Sequence, residues 1–337
     1  MKKSNFFFKY LNNINKSINI LLEKNLNKLN FHNLRNLAKN NKIILTFVAV
    51  FVLFLSYLLL PTFYNQADIS KEIKQELSKK LNLNFNFTKK LNYNFFPRPH
   101  FVTNQASIFD EKGEISSIKK IKIFVSLENL FSLKSIQVKD IILKNANFNF
   151  DNSNYNFFIK LLDKSFFDGN LKIKDSNIFF RNTDEEVLFI NKIIEMKFYY
   201  DGNELNNIVS AKNKIFNIPY KIEMYKDKTK TKLFTKLNFN SQKLQIENEL
   251  SLNNETLLGK AVFLLNKSKS NVIYEINKNF FKYDYFDDLN NPAFIYKGNF
   301  NLKPFYSNIE GKTEELNLSY IFGSNPFISD LLKTELF

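Results

Sequence analysis

The chain has 337 residues, a formal net charge of +15, no Cys, no Trp and two His. Without Cys there is no disulfide framework and no thiolate metal site. The positive charge invites a nucleic-acid reading, but the distribution argues against it. Residues 1–42 hold nine Lys/Arg against the single acid Glu23, and only Arg35, Arg98 and Arg181 are arginines. The rest of the chain therefore carries an excess of only seven, with no Arg cluster to read phosphates or bases bidentately. The bias toward Lys, Asn, Ile and Phe is what AT-rich codons produce, so composition by itself names no partner.

The run Ile43–Leu60, IILTFVAVFVLFLSYLLL, has no charge and predicts a transmembrane helix. Eighteen helical residues reach about 27 Å, enough for the hydrocarbon core. Pro61 and Thr62 end it, and Phe63 and Tyr64 supply interfacial aromatics. It starts too far into the chain for a signal peptide, and no A-x-A-like site follows it. The basic flank predicts residues 1–42 in the cytoplasm and 62–337 across the membrane. Within the tail, Leu11, Ile14, Ile18, Leu21, Leu22, Leu26 and Leu29 approximate one helical face. A helix lying on anionic headgroups and a loosely structured basic tail both fit that pattern.

After the span, Ile69, Ile73, Leu77 and Leu81 recur every fourth residue, predicting an amphipathic helix capped near Asp68 or Ser70. From Leu81 the period becomes two. Leu83, Phe85 and Phe87 alternate with asparagines, and the same alternation marks Ile121–Val125, Ile136–Val138, Ala146–Phe150, Leu171–Ile173 and Ile178–Phe180. It continues through Tyr220–Met224, Leu233–Phe239, Leu244–Ile246, Val272–Ile276 and Phe300–Leu302. Short helical pieces are expected at Leu127–Phe131, Asn156–Leu162 and Ser329–Leu336. The predicted fold class is mainly β, an antiparallel sheet with one apolar and one polar face. A packed core and an apolar groove would both leave this pattern.

Catalytic signatures do not emerge. His32 and His100 stand alone, and His100, between Pro99 and Phe101, reads as a turn or surface residue. No Ser–His–Asp set, G-x-S-x-G, H-E-x-x-H or phosphate-cradling glycine motif occurs. Asp184–Glu185–Glu186 and Asp287–Asp288 could in principle do acid–base work, but charged turns between strands look the same. The expectation is a protein that is not an enzyme, with no cofactor, metal or catalytic residue and no nucleic-acid partner.

From Ile43 to about Lys160 the order of parts resembles the AsmA family of bacterial envelope proteins. The parts are a basic N-terminus and one span, the helix Ile69–Leu81, the strand Asn82–Thr88 and FFPRPHF at Phe95–Phe101. A strand through Ala106–Ile108, IKKIKIFV at Ile118–Val125, SLENLFSLK at Ser126–Lys134 and IQVKDIILKNANFNF at Ile136–Phe150 follow. In that family a Pro-x-Pro motif precedes a strand, as Pro97 and Pro99 do here. One departure is KLNLN at Lys80–Asn84, where a Gly near the helix exit is expected. Farther on, YKGNFNLKPF at Tyr296–Phe305 has a similar character.

The resemblance implies an inner-membrane anchor and a periplasmic domain related to chorein-like, bridge-type lipid-transfer proteins. Such domains are elongated, curved, taco-like sheets with an apolar concave face. It makes Leu83, Phe85, Phe87, Ile121, Ile123, Val125, Phe148 and Phe150 the candidate groove lining. The expected function is to bind or conduct phospholipid toward the outer membrane, with the bilayer, a phospholipid ligand and envelope proteins as partners. The alternative is a membrane-anchored scaffold that affects outer-membrane protein insertion through protein contacts. The chain is expected to be a short member of the family or incomplete at its C-terminus.

Overall fold

A computed structural model describes residues 42–110, 113–128, 130–151, 154, 156–163, 169–182, 184–227, 231–252, 256–266, 268–287, 294–302 and 305–313. The expected amphipathic tail and the helix at Ser329–Leu336 lie outside these residues. The chain divides into two compact units, Met1–Leu60 and Pro61–Phe337.

In the first unit the apolar run forms α1 (Lys42–Leu59). Its large side chains are exposed, with Phe47 at 73 % and Leu53 at 69 %, where a core helix would bury them. Residues Thr46–Phe63 are long and apolar enough to cross a membrane.

The second unit opens with a 3-10 turn, Leu60–Phe63, and then α2 (Gln66–Leu81). Asn65 caps α2, its side chain accepting from the Ala67 N–H at 2.8 Å. The stripe Ile69, Ile73, Leu77 and Leu81 is buried as its four-residue spacing requires. The helix ends on Asn82 in the left-handed region (φ 57°, ψ 35°), whose N–H returns to the Ser78 carbonyl. Asn tolerates this conformation through its short polar side chain, so it does here what a glycine would do.

Sixteen strands then build one open, curved sheet. They are β1 (Asn84–Phe87), β2 (Asn92–Asn94), β3 (His100–Asp110), β4 (Gly113–Val125), β5 (Val138–Phe150), β6 (Asn170–Arg181), β7 (Val187–Asp201) and β8 (Asn206–Ile215). After them come β9 (Ile218–Asp227), β10 (Lys232–Phe239), β11 (Leu244–Ser251), β12 (Leu257–Leu265), β13 (Ser268–Ile276), β14 (Phe280–Phe286), β15 (Phe294–Leu302) and β16 (Phe305–Thr313). The order is β1-β3-β4 and then sequential to β16, with β2 beside β3. At ~4.8 Å per strand the sheet is about 65 Å across.

One pairing departs from the expected antiparallel sheet: β5 and β6 run parallel, Ile141 opposite Leu171 and Phe148 opposite Ile178. Parallel neighbours need a long return connection. Here it contains α3 (Phe157–Leu162), close to the helical piece expected at Asn156–Leu162. Leu127, Glu128, Leu130 and Phe131 stand in bends and turns rather than a helix, with a 3-10 turn following at Leu133–Ser135.

His100 is not a surface residue. It begins β3 at 4 % exposure, stacked on Phe124 with ring centroids 5.0 Å apart. Arg98 beside it lies over the same ring, 4.7 Å from its centroid, and donates to Asp140 at 2.7 Å. The Pro97–Pro99 motif thus precedes β3 and ties its entry to β4 and β5.

Candidate apolar trough

Register decides which side chains share a face. Directly opposed residues in paired strands point the same way, so one row can be followed from strand to strand. At the near end, Phe85 faces Ile108, Ile123 faces Phe101 and Ile141, and Ile141 faces Leu171. From Leu171 the face continues through Phe198 and Val209 to Met224. At the far end, Leu233 faces Leu250, and the row runs on through Gly259, Tyr274, Tyr283 and Gly298 to Ile309. One apolar face therefore extends across the whole sheet.

Its two ends differ in cover. From β3 to β8 the face is closed: Ile121, Ile123, Leu143 and Phe148 are at or below 1 % exposure. The buried stripe of α2 belongs to an element that contacts β1 and β5, and α3 contacts β8 with Phe157, Phe158, Leu161 and Leu162 all buried. From β10 to β15 there is no such helix among the described residues. There Leu237, Ile246, Phe263, Val272, Phe281 and Phe300 are half-exposed. The near end is a core, and the far end is a half-buried apolar face.

The residues expected from sequence to line a groove lie at the closed end. Phe85, Ile121, Ile123, Val125, Phe148 and Phe150 are on this face and buried. Leu83, just before β1, is 8 % exposed, and Phe87 is half-buried. Phe148 and Phe150 are covered by the α3 rings, Phe148 lying 5.5 Å and Phe150 5.9 Å from Phe158 and Phe157 respectively. The accessible lining is instead the set from β10 onward. Its signal was the same alternation, visible at Leu233–Phe239 and Val272–Ile276. In FFKYDYF of β14 aromatics stand on both faces, which hides the alternation of Phe281, Tyr283 and Tyr285.

Aromatic side chains pave the far end. Phe281 and Phe300 stack with centroids 6.2 Å apart, Tyr283 and Phe300 at 6.1 Å, and Tyr220 and Phe239 at 5.2 Å. Glycines seat these rings. A Cβ on Gly259 would stand 2.0 Å from the Tyr274 ring, and one on Gly298 would stand 2.1 Å from Tyr283. The rings lie down over cross-strand glycines, an arrangement that flattens the floor and supplies the packing a glycine lacks.

The face carries a few polar groups. The Tyr274 hydroxyl donates to Asn248 Oδ1 at 2.8 Å, and the Asn213 amide donates to the Tyr220 hydroxyl at 3.3 Å. Burial raises the pKa of both phenols, keeping them neutral.

The opposite face mixes charged pairs with apolar groups, Leu258 and Ile273 being 47 % and 46 % exposed on it. Lys236 donates to Glu247 at 2.9 Å, Lys232 pairs with Glu249, and Lys297 lies 3.8 Å from Asp284. Two shallow hollows of about 440 and 410 Å³ lie here, walled in part by these charges. Seating an acyl chain in them would strip water from charged groups without replacing it, so they are not lipid sites. Asp184 and Glu186 stand in a turn where the Asn182 side chain accepts from both backbone N–H groups. They form a loop, not a facing carboxylate pair. Asp287 follows β14, and Asp288 lies outside the described residues.

Residues 37–165 match the family model of the AsmA family. The resemblance read from the order of motifs is thus borne out across α1, α2, β1 to β5 and α3, and β6 to β16 lie beyond the match. No curated protein matches the chain. The matched family and the large open sheet fit an envelope-biogenesis protein, and α1 is consistent with a membrane anchor.

Proposed function

We propose that this protein is anchored in the inner membrane by α1, with residues 1–42 cytoplasmic and the sheet in the periplasm, and that it carries phospholipid acyl chains toward the outer membrane. The observation that carries this reading is the change of cover along one apolar face: buried from β3 to β8, with α2 and α3 against the sheet, and mostly half-buried from β10 to β15, where Leu233 and Ala261 remain buried. Each methylene moved from water onto that floor contributes about 0.8 kcal/mol, so a continuous apolar path lowers the barrier to moving a lipid through water. No specific polar contact and no bond-making step is required.

The test is site-specific photocrosslinking of the full chain in cells. A photoreactive phenylalanine analogue at Leu237, Phe263 or Tyr283 should yield phospholipid adducts identified by mass spectrometry. The same probe at Lys236 or Glu247, on the polar face, should not. Protein adducts in place of lipid at the trough positions would refute the reading.

A second reading has its own observation. Among the described residues β16 is the last strand of the sheet, its residues 305–312 are exposed on both faces, and Phe305 and Ile309 are 75 % and 57 % exposed. An exposed apolar edge is a template for strand addition. Protein adducts concentrated at Tyr306 and Asn308, with none of lipid in the trough, would favour a scaffold acting through protein contacts.

A further inference from the structure

The polar face of the sheet is not uniform. From β10 onward several of its lysines stand opposite acids, while Lys269 faces Leu264 and Lys312 faces Ile295. Lys236 faces Glu223 and Glu247, Lys260 faces Glu249, Lys282 faces Glu275, and Lys297 faces Asp284 and Glu310. From β4 to β8 the same face opposes like charges. Lys120 faces Lys144, which faces Lys174; Lys172 faces Lys197, and Lys192 faces Lys214. At its far border Lys212 faces Lys221 of β9.

Directly opposed like charges destabilise a sheet. Among these lysines the one ion pair between described residues is Lys174 to Glu195, at 3.2 Å. Glu195 lies between the rows, with Lys174 on one side and Lys212 on the other. Its carboxyl is held below the usual range by the Lys174 hydrogen bond, and, against the opposing effect of burial, by the charges of Lys174, Lys197 and Lys212. A codon bias toward lysine would enrich both halves of the face alike. It does not explain why most lysines of one half stand opposite acids while those of the other largely stand opposite lysines.

We propose that the lysine field on the polar face of β4–β8 is a docking surface for an anionic phospholipid bilayer. Complementary charge supports a polyanionic partner. The make-up of the field favours a membrane: lysines are flexible point charges suited to a diffuse sheet of headgroups, whereas a specific carboxylate or phosphate site calls for the guanidinium fork. Arg181 is the one arginine on β4–β8, and its side chain is engaged by Asn149 Oδ1 at 3.1 Å and the Glu185 carbonyl. The chain also carries its own apolar helix α1, which keeps the sheet near a bilayer at high effective concentration. This inference goes beyond the acyl-chain reading and shares with it only the membrane anchor, so either can fail alone.

The experiment uses the full chain in phosphatidylcholine nanodiscs and measures capture of added vesicles by flotation. One set of vesicles is phosphatidylcholine alone, and the other carries a one-third share of phosphatidylglycerol. The wild type should capture the anionic vesicles, and added salt should abolish capture. A variant with Lys120, Lys144, Lys212 and Lys221 each changed to Gln spares the Lys174–Glu195 pair. It should lose about tenfold or more in capture. Its melting temperature should stay within a few degrees, because relief of the Lys120–Lys144 and Lys212–Lys221 repulsions offsets loss of the Lys212 charge beside Glu195.

The basic N-terminal tail is a second possible binder, so a tail variant with Lys2, Lys3 and Lys9 changed to Gln is run in parallel. It should retain most of the capture. Equal capture of both vesicle types by the wild type, or full capture by the four-lysine variant, overturns the proposal. So does a wild type that captures neither, which is the result expected if the field instead meets an acidic protein.

Discussion

Arg98 Nη2 lies 2.7 Å from Asp140 Oδ2, joining the segment before β3 to the start of β5. Asp140 also accepts from the Asn170 backbone N–H at 3.1 Å and its side-chain amide at 3.0 Å, so one carboxylate ties β3, β5 and β6 together. Burial pushes its pKa up, but the hydrogen bonds of Asn170 and Arg98 and the Arg98 charge outweigh it, and the net shift is downward. A carboxyl with a lowered folded pKa contributes stability that is present above its unfolded value and lost as pH falls through the folded one. Asp140→Ala should therefore cost about 1.5–3 kcal/mol at neutral pH. The difference from wild type should shrink once the pH drops below the ordinary 3.8. Thermal melts of both chains in detergent across that range check the sign; a gap that widens in acid would refute it.

Gly259 sits opposite Tyr274, whose ring occupies the space a side chain would need. Gly259→Val should force the ring off the floor and cost about 1–3 kcal/mol. Tyr274→Ala vacates that space, so the double variant should recover part of the loss that the two single changes would add up to. A double-mutant cycle on melting temperature reads the coupling. Strict additivity would show that the ring does not rest on the glycine.

Much of the fold was legible in the sequence because each strand keeps one face apolar over several residues. Leu233–Phe239 and Ala146–Phe150 announce themselves by alternation alone. β7, VLFINKIIEMKFYYD, hides because Ile190 and Ile194 put apolar groups on the solvent side, at 37 % and 43 % exposure. β16 hides because its residues 305–312 are exposed on both faces. The trough's location was not legible either. Alternation reports that a face is apolar, while cover depends on where α2 and α3 contact the sheet, which no strand's own sequence records. That is why Ile121 and Phe148, the most regular lining residues in sequence, are in a closed core.

Asn82 accounts for the missing glycine at the exit of α2. Because an L residue in the left-handed region costs about 1–2 kcal/mol and Asn is one of the few that visit it routinely, Asn82→Ala should destabilise by about 1 kcal/mol. Asn82→Gly should be neutral or slightly stabilising. Melting temperatures for the pair decide it, and equal effects of Ala and Gly would mean the backbone conformation is not the reason for Asn.

The two ends of the apolar face should answer differently to the same kind of change. Leu77 is fully buried on α2, so Leu77→Ala removes packed methylenes and leaves a cavity, costing about 2–5 kcal/mol. Leu237 is half-exposed on β10, so Leu237→Ala should cost well under half of that, about 1 kcal/mol. Introducing charge separates fold from cargo more sharply. Leu237→Glu places its carboxylate where water still reaches it, so the sheet should keep its melting temperature within a few degrees. An acyl chain would have to desolvate that carboxylate to pass, and lipid adducts at Phe263 and Tyr283 should fall several-fold. Collapse of the fold on Leu237→Glu would instead place β10 in a sealed core, and undiminished lipid adducts would place the lipid path elsewhere.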